Sequence, residues 1–156
     1  MLRPTTLADS DLLVELAEAT RVFKPHELVA LEEVLADYHG LNQVQGHVAV
    51  TWDEGEDVRG FAYYAPAALT LGTWYLYWIA VAPACQGQGL GRRMLEHAEE
   101  DILRRDGRLL LIETSSQSSY DATRRFYVRQ GYAHEATLRD FYAPGDDLVV
   151  FRKELS

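Results

Sequence analysis

Trp74-Tyr75-Leu76-Tyr77-Trp78-Ile79-Ala80-Val81-Ala82-Pro83-Ala84-Cys85-Gln86-Gly87-Gln88-Gly89-Leu90-Gly91 is the stretch that decides the fold. Its first part belongs to an apolar strand predicted over 70–81. Trp74, Leu76 and Trp78 fall on one face and Tyr75, Tyr77 and Ile79 on the other, so a strand covered on both sides is expected. The glycines open a helix over 89–106, in which Leu90, Met94, Leu95, Ala98, Ile102 and Leu103 recur at helical spacing. Gly107 ends it, and Leu109–Ile112 is the short continuous apolar run of a buried parallel strand. Residues 74–113 therefore read as strand, helix, strand, and two parallel strands joined this way need a right-handed crossover.

The flanks fit an α/β class with a mixed sheet. Leu12, Leu13, Leu16, Ala17 and Val22 predict an amphipathic helix over 9–23, with Asp9 or Ser10 as its cap. Pro25 suits the first turn of a second helix, with Leu28, Leu31, Val34 and Leu35 as the buried stripe and Gly40 as its stop. Strands over 47–52 and 58–65 enclose the turn Asp53-Glu54-Gly55-Glu56-Asp57 and form an antiparallel hairpin. A short helix over 121–130 stops at Gly131, and strands over 132–139 and 148–153 flank a turn at Ala143-Pro144-Gly145-Asp146. No repeat or linker divides the chain, so a single domain over 1–156 is expected.

The 24 acidic and 15 basic side chains leave a formal charge of -9. Such a surface repels phosphate-rich partners, which argues against nucleic acid and anionic membranes and agrees with a cationic substrate. Cys85 is the single cysteine, so no intrachain disulfide forms, and the five histidines lack ligand-like spacing, so no metal site is expected. Met1-Leu2-Arg3-Pro4 runs into polar and acidic residues rather than a leader, and no stretch nears the ~18 apolar residues of a membrane span. The expectation is a soluble, cytoplasmic protein.

Gln86-Gly87-Gln88-Gly89-Leu90-Gly91 carries the chemistry. Glycines let a ligand approach the backbone, and the unpaired amides at a helix start, helped by the helix dipole, bind an anion without a basic side chain. Arg92 and Arg93 add charge beside them. The G-x-G-x-G spacing is not the G-x-G-x-x-G of a dinucleotide fold, and Gly91-Arg92 is not the Gly-Lys of a P-loop. Read alone, the segment could also be a turn that only joins strand to helix.

Gln86-x-x-Gly89-x-Gly91, with Ile79-Ala80-Val81-Ala82-Pro83 before it and Phe126-Tyr127 and Gly131-Tyr132 after it, resembles the GCN5-related N-acetyltransferase (GNAT) superfamily. The likeness runs from Arg3-Pro4 to the last strand. It implies a mostly antiparallel mixed sheet whose central parallel pair splays apart to admit acetyl-CoA. By that resemblance Gln86, Gly87, Gln88, Gly89, Leu90, Gly91 and Arg92 hold the coenzyme A pyrophosphate. The backbone of Ile79, Ala80 and Val81 pairs with the pantetheine arm, and an amide near Ile79 polarises the thioester carbonyl.

Acetyl transfer to an amine needs a base to free the amine and a proton or hydrogen bond for the leaving thiolate. Tyr127 matches the family's acid. Glu113, which interrupts the apolar run of its strand, matches the glutamate some members use as base, and partial burial would raise its pKa. Tyr120 and Thr123 stand where many relatives have asparagine and alanine, so the loop's contacts to coenzyme A depart from the family pattern. Asp140 and Tyr142, read in the loop between the last strands, are the candidates for binding the acceptor, whereas Asp146 and Asp147 are expected in a solvated turn. The implied reaction is direct acetyl transfer, in a ternary complex, to a primary amine of a small molecule; a protein or peptide amine, or an acyl-CoA sensor without turnover, are the alternatives. The resemblance also admits a homodimer.

Overall fold

A computed structural model describes residues 1–156. Seven strands form one sheet in the order β1-β2-β3-β4-β5-β7-β6, accompanied by four α-helices. In chain order these are β1 (Leu2–Pro4), α1 (Ser10–Ala19), α2 (Pro25–Asp37), β2 (Val48–Glu54), β3 (Asp57–Pro66), β4 (Thr73–Val81), α3 (Leu90–Arg104), β5 (Leu109–Ser115), α4 (Asp121–Arg129), β6 (Ala133–Ala143) and β7 (Asp146–Glu154). Strands β4 and β5 are parallel, and β1–β2, β2–β3, β5–β7 and β6–β7 are antiparallel. No helix is long and apolar enough to cross a membrane. The chain divides into two compact units, residues 1–65 with 78–98 and residues 66–77 with 99–156.

In the first unit the chain begins with a strand that its composition does not announce. β1 pairs with β2, Leu2 opposite Trp52 and Pro4 opposite Val50. Arg3 holds it there: Nε donates to Asp53 at 2.5 Å, and Nη1 and Nη2 donate to the two oxygens of Asp9 at 2.8 and 2.9 Å. Asp9 is 5 % exposed and also accepts the Thr6 amide at 2.7 Å. It therefore closes a short 3-10 turn instead of capping α1 through its side chain. Helix α1 is shorter than the 9–23 periodicity suggests, because Thr20 Oγ1 donates to the Ala17 carbonyl and Arg21 turns to φ +58°. Helix α2 starts at Pro25 as expected but continues past Gly40 as a π turn over Tyr38–Asn42. Leu13, Leu16 and Ala17 of α1 meet Leu31 and Leu35 of α2, with Phe61 and Ala80, in the core. On the other face of β3, a Cβ at Gly60 would come within 2.9 Å of both the Ala80 carbonyl and Met94 of α3.

The Arg3 pair makes a prediction. Hydrogen bonding from Arg3, and then from Thr6, outweighs burial and lowers the Asp9 pKa to about 2. A depressed carboxylate stabilises the fold above its unfolded pKa and loses that contribution as pH falls through the folded value, here worth about 2 kcal/mol. Denaturant titrations should show Asp9→Asn less stable by about that amount at neutral pH, with a smaller loss than wild type between about pH 4 and about pH 2.

In the second unit, β4 and β5 run parallel from Thr73 opposite Leu109 to Leu76 opposite Ile112. Arg108 and Leu109 donate their amides to the Gly72 carbonyl at 2.7 and 3.2 Å, which starts the register. The crossover from α3 reaches this point through Gly107, where any Cβ would run into Ile102 of α3 and the Trp74 ring. Trp74 thus packs at the end of α3, whereas in the first unit Trp78 joins Phe23 (ring centroids 5.3 Å apart) and the α1–α2 core.

Three boundaries move relative to the sequence reading. β5 continues to Ser115, so Glu113 lies inside a strand and not at its end. β6 reaches Ala143 and β7 begins at Asp146, so Asp140 and Tyr142 lie in a strand and only Pro144 and Gly145 (φ +79°) form the turn. Asp146, expected in solvent, is 2 % exposed. Local propensity sees Ala-Pro-Gly-Asp as a turn, but the β5 end supplies partners that pull the aspartate in. Gly107→Ala should lower stability by at least about 1–3 kcal/mol, the usual cost of overpacking a filled core, read as a lower midpoint in chemical denaturation.

Candidate active site

The first unit presents a glycine loop. β4 ends at Val81, a 3-10 turn covers Pro83–Cys85, and α3 starts at Leu90. The Cys85 amide donates to the Ala82 carbonyl at 2.8 Å, and Arg59 Nη1 donates to the buried Cys85 Sγ at 3.1 Å. Gln86 returns its side-chain amide to the Val81 carbonyl at 3.1 Å. These bonds hold an otherwise exposed segment, residues 86–89, at the end of the strand.

Gly87 and Gly89 take φ +79° and +83°, a left-handed conformation that costs an L residue about 1–2 kcal/mol. Nothing lies within 4 Å of where their Cβ atoms would be, so the space beside both glycines is open. The first i to i−4 bond of α3 runs from the Arg93 amide to the Gly89 carbonyl at 3.1 Å. The amides of Leu90, Gly91 and Arg92 precede it and have no intrahelical acceptor, which is the arrangement that binds an anion. Arg92 is turned along the helix to Glu96 at 2.7 Å, and Arg93 sits over the Trp52 ring at 5.8 Å. Charge at this loop therefore comes chiefly from the backbone. Of the residues expected to meet the pantetheine arm, Ala80 is buried and Ile79 and Val81 are half-buried.

The second unit carries the two acid–base candidates. Glu113 is opposite Val150 and Ile112 opposite Phe151 on β7, so Glu113 and Phe151 point to opposite faces of the sheet. Tyr127 of α4 packs its ring 5.8 Å from Phe151 and 5.9 Å from Tyr132. The carboxylate and the phenol thus project on opposite sides of β5 and β7. Glu113 keeps contact with solvent, and the part of its carboxyl withdrawn from water raises its pKa. Burial, then the Tyr75 and Glu113 charges, raise the Tyr77 phenol on the adjoining strand. Tyr127 is 3 % exposed, and burial lifts its pKa well above the ordinary phenol range. It keeps its proton at neutral pH and can donate a hydrogen bond.

The Gly131-Tyr132 part of the motif is an anchor. Gly131 takes φ +92°, and the Tyr132 amide returns to the Tyr127 carbonyl at 3.0 Å. Tyr132 Oη donates to Glu99 at 2.7 Å, and Lys153 Nζ donates to both Glu99 oxygens at 3.1 Å. Tyr120, at the position of the family's asparagine, is 7 % exposed.

Asp140 and Tyr142 are in place but not equivalent. Asp140 has φ +57°, accepts the Gly145 amide at 2.9 Å, and donates its own amide to Asp147 at 2.9 Å. Its carboxylate is thereby engaged in shaping the hairpin. Tyr142 is 47 % exposed and stands edge-on to Phe141 at 5.0 Å. Sequence reasoning did not pair two residues that sit nearby: Ser115 Oγ donates to the buried Asp146 at 2.5 Å. A signal existed in the alternation of β7, where Asp146 shares the parity of Leu148 and Val150.

The sequence pattern of the acetyltransferase (GNAT) domain matches residues 44–134. The chain belongs to the GNAT acetyltransferase family. A crystal structure from Desulfovibrio desulfuricans described as an acetyltransferase of the GNAT family is similar throughout, with 38 % identity, 100 % of this chain and 99 % of that chain covered, and a TM-score of 0.95. More distant structures share the GNAT fold. An acetyltransferase from Salmonella typhimurium, solved with its cofactor acetyl-CoA, is 22 % identical over 100 % of this chain and 94 % of that one, TM-score 0.79. Ribosomal-protein-alanine N-acetyltransferase from Brucella melitensis is 22 % identical over 99 % of both chains, TM-score 0.79. No curated protein matches the chain by sequence. The matched GNAT segment contains the glycine loop, Glu113 and Tyr127 but not the tip of the β6–β7 hairpin. No group of three or more His, Cys, Asp or Glu residues is arranged to hold a metal ion.

Proposed function

We propose that this GNAT-family enzyme transfers the acetyl group of acetyl-CoA to a primary amine by direct attack. The observation that carries this reading is the pair of left-handed glycines, Gly87 and Gly89, which open the amides at the start of α3 just beyond β4. Residues 86–92 bind the pyrophosphate through the backbone. The backbone of Ile79–Val81 pairs with the pantetheine arm and polarises the thioester carbonyl. A lysine-like amine of pKa ~10.4 arrives protonated. Glu113 takes its proton, directly or through water, and a raised pKa suits that work. The free amine then forms the C–N bond and the C–S bond breaks.

Tyr127 serves the leaving group from the other face. A phenol raised above its usual pKa of ~10 is a weaker acid than a thiol near ~8.5, so it donates a hydrogen bond to the leaving sulfur and retains its own proton. The sulfur is protonated by what the attacking nitrogen releases. Tyr142, open to solvent beside Phe141, lies against the body of the acceptor. A small-molecule amine is the first choice of acceptor, since one tyrosine–phenylalanine corner offers only a compact apolar surface; a peptide or protein amine is the alternative. One domain over 1–156 and a cytoplasmic setting complete the reading.

Calorimetry should show acetyl-CoA and free coenzyme A binding and ATP failing to bind, with Gly89→Ala weakening acetyl-CoA by about tenfold or more, since it strains the loop and fills the anion's approach. ATP binding without coenzyme A binding would sink the proposal. Thiol release over a panel of polyamines, aminoglycosides, amino acids and peptides identifies the acceptor class, and acetyl-CoA binding with no release marks a sensor instead.

Tyr127→Phe should lower kcat by about 10²-fold, with the acetyl-CoA KM nearly unchanged. Because burial raises the Glu113 pKa, kcat/KM should fall on acidification already above the usual ~4.3 of a glutamate, and Glu113→Gln should lose that acid limb along with about 10²-fold in rate. Retention of the limb in the variant would assign the base elsewhere.

A further inference from the structure

Burying a carboxylate is costly unless its oxygens are hydrogen-bonded, so a buried aspartate at the tip of a surface hairpin calls for an account. Asp146 is 2 % exposed and Ser115 is 8 % exposed. Ser115 Oγ donates to Asp146 Oδ1 at 2.5 Å and accepts the Gln117 amide at 3.0 Å. The same two segments are joined three more times. The Ser116 amide donates to the Asp147 carbonyl at 2.9 Å, the Asp147 amide donates to Ser116 Oγ at 2.8 Å, and Gln117 Nε2 donates to the Gly145 carbonyl at 3.2 Å. Arg124 Nη1 braces the β5 side through the carbonyls of Ser115 (2.5 Å) and Gln117 (3.0 Å).

The β5–β7 ladder, from Leu109 opposite Glu154 to Ser115 opposite Leu148, holds the base of the hairpin, and the bonds above hold its tip. Every residue of β6 is exposed, so side-chain packing contributes little there. Its pairing with β7 is irregular between Leu138 and Ala143, which leaves Asp140, Phe141 and Tyr142 outside the regular ladder. Ser115 is opposite Leu148 and Glu113 opposite Val150, and Asp146 lies two residues before Leu148. Glu113, Ser115 and Asp146 therefore share one face of the sheet.

We infer that Asp146 and Ser115 are positioning residues for the acceptor. Their hydrogen bond clamps the β6–β7 turn to the end of β5, with Ala143 opposite Asp146 on the face from which Glu113 projects, and so fixes where the adjoining Phe141–Tyr142 corner stands. The size and shape of amine that fits is set by this clamp, a conclusion that rests on the acetyl-transfer reading with Glu113 as base.

Hydrogen exchange and steady-state kinetics on the full chain test it together. In Ser115→Ala and Asp146→Ala, amides in 115–117 and 140–147 should exchange about tenfold faster while those of β1 and β2 are unchanged. With the amine giving the fastest thiol release in the panel above, the acceptor KM should rise about fivefold or more while the acetyl-CoA KM stays within about twofold. Asp146→Asn and Ser115→Thr, which keep an acceptor and a donor in place, should restore most of both losses. Two variants on opposite sides of the bond guard against one that does not fold. Unchanged exchange in both alanine variants overturns the clamp. Faster exchange with an unchanged acceptor KM overturns the positioning role and leaves the bond to the fold alone. A wild-type protein that acetylates nothing in the panel refutes the acetyl-transfer reading and the acceptor role with it; the exchange rates, which need no acceptor, separate that result from a failure of the clamp.

Discussion

The absence of a side chain at Gly107 is the constraint on which the second unit depends. Ile102 and the Trp74 ring close on that position, and the two following amides reach the Gly72 carbonyl. That contact starts β4 and β5 in parallel register. Once Thr73 is opposite Leu109, every later residue of β5 is assigned a face, and the antiparallel ladder to β7 carries the assignment onward. A one-residue slip would exchange all the faces, because side chains alternate along a strand. The orientation of Glu113 thus traces back to the glycine that ends the crossover, just before β5.

The same register separates the two groups proposed for proton chemistry. Glu113 projects on the face it shares with Val150 and remains in reach of water, whereas Tyr127 is buried against Phe151 on the other. Both pKa values move upward through loss of hydration, yet the consequences differ. A carboxylate raised by partial burial becomes a better base near neutrality. A phenol raised by full burial becomes a dependable hydrogen-bond donor that does not ionise. One physical cause, applied to two residue types on two faces, suits them to the two different roles proposed for them.

Charge at the glycine loop follows a different logic. A chain of net charge -9 gains little by assembling a basic patch, and Arg92 and Arg93 are in fact turned to Glu96 and Trp52. Left-handed glycines and an open helix terminus supply positive potential without formal charge. That reconciles an acidic surface, unsuited to long polyanions, with the proposed anion site of a few residues. Stability follows a similar economy elsewhere in the first unit, where one arginine, Arg3, anchors an otherwise weak three-residue strand through two carboxylates.

Much of this was legible in the order of residues. The strand, glycine loop and helix around Gln86–Gly91 set the α/β class, the parallel pair and the place of the proposed anion site, because glycine spacing and helical periodicity are local properties. Glu113 and Tyr127 stood out as an interruption of an apolar run and as part of a spaced motif. Tertiary structure alone decided the rest. Helix α1 ended early, Trp74 and Trp78 went to different helices, and Asp140 and Tyr142 proved to be strand residues. β1 formed because Arg3 found Asp9 and Asp53, the latter 50 residues away. Asp146 is buried because Ser115, 31 residues earlier, donates to it. Periodicity and turn propensity report what a segment prefers by itself, whereas a buried charge is placed by a partner distant in the chain, and only the folded register brings the two together.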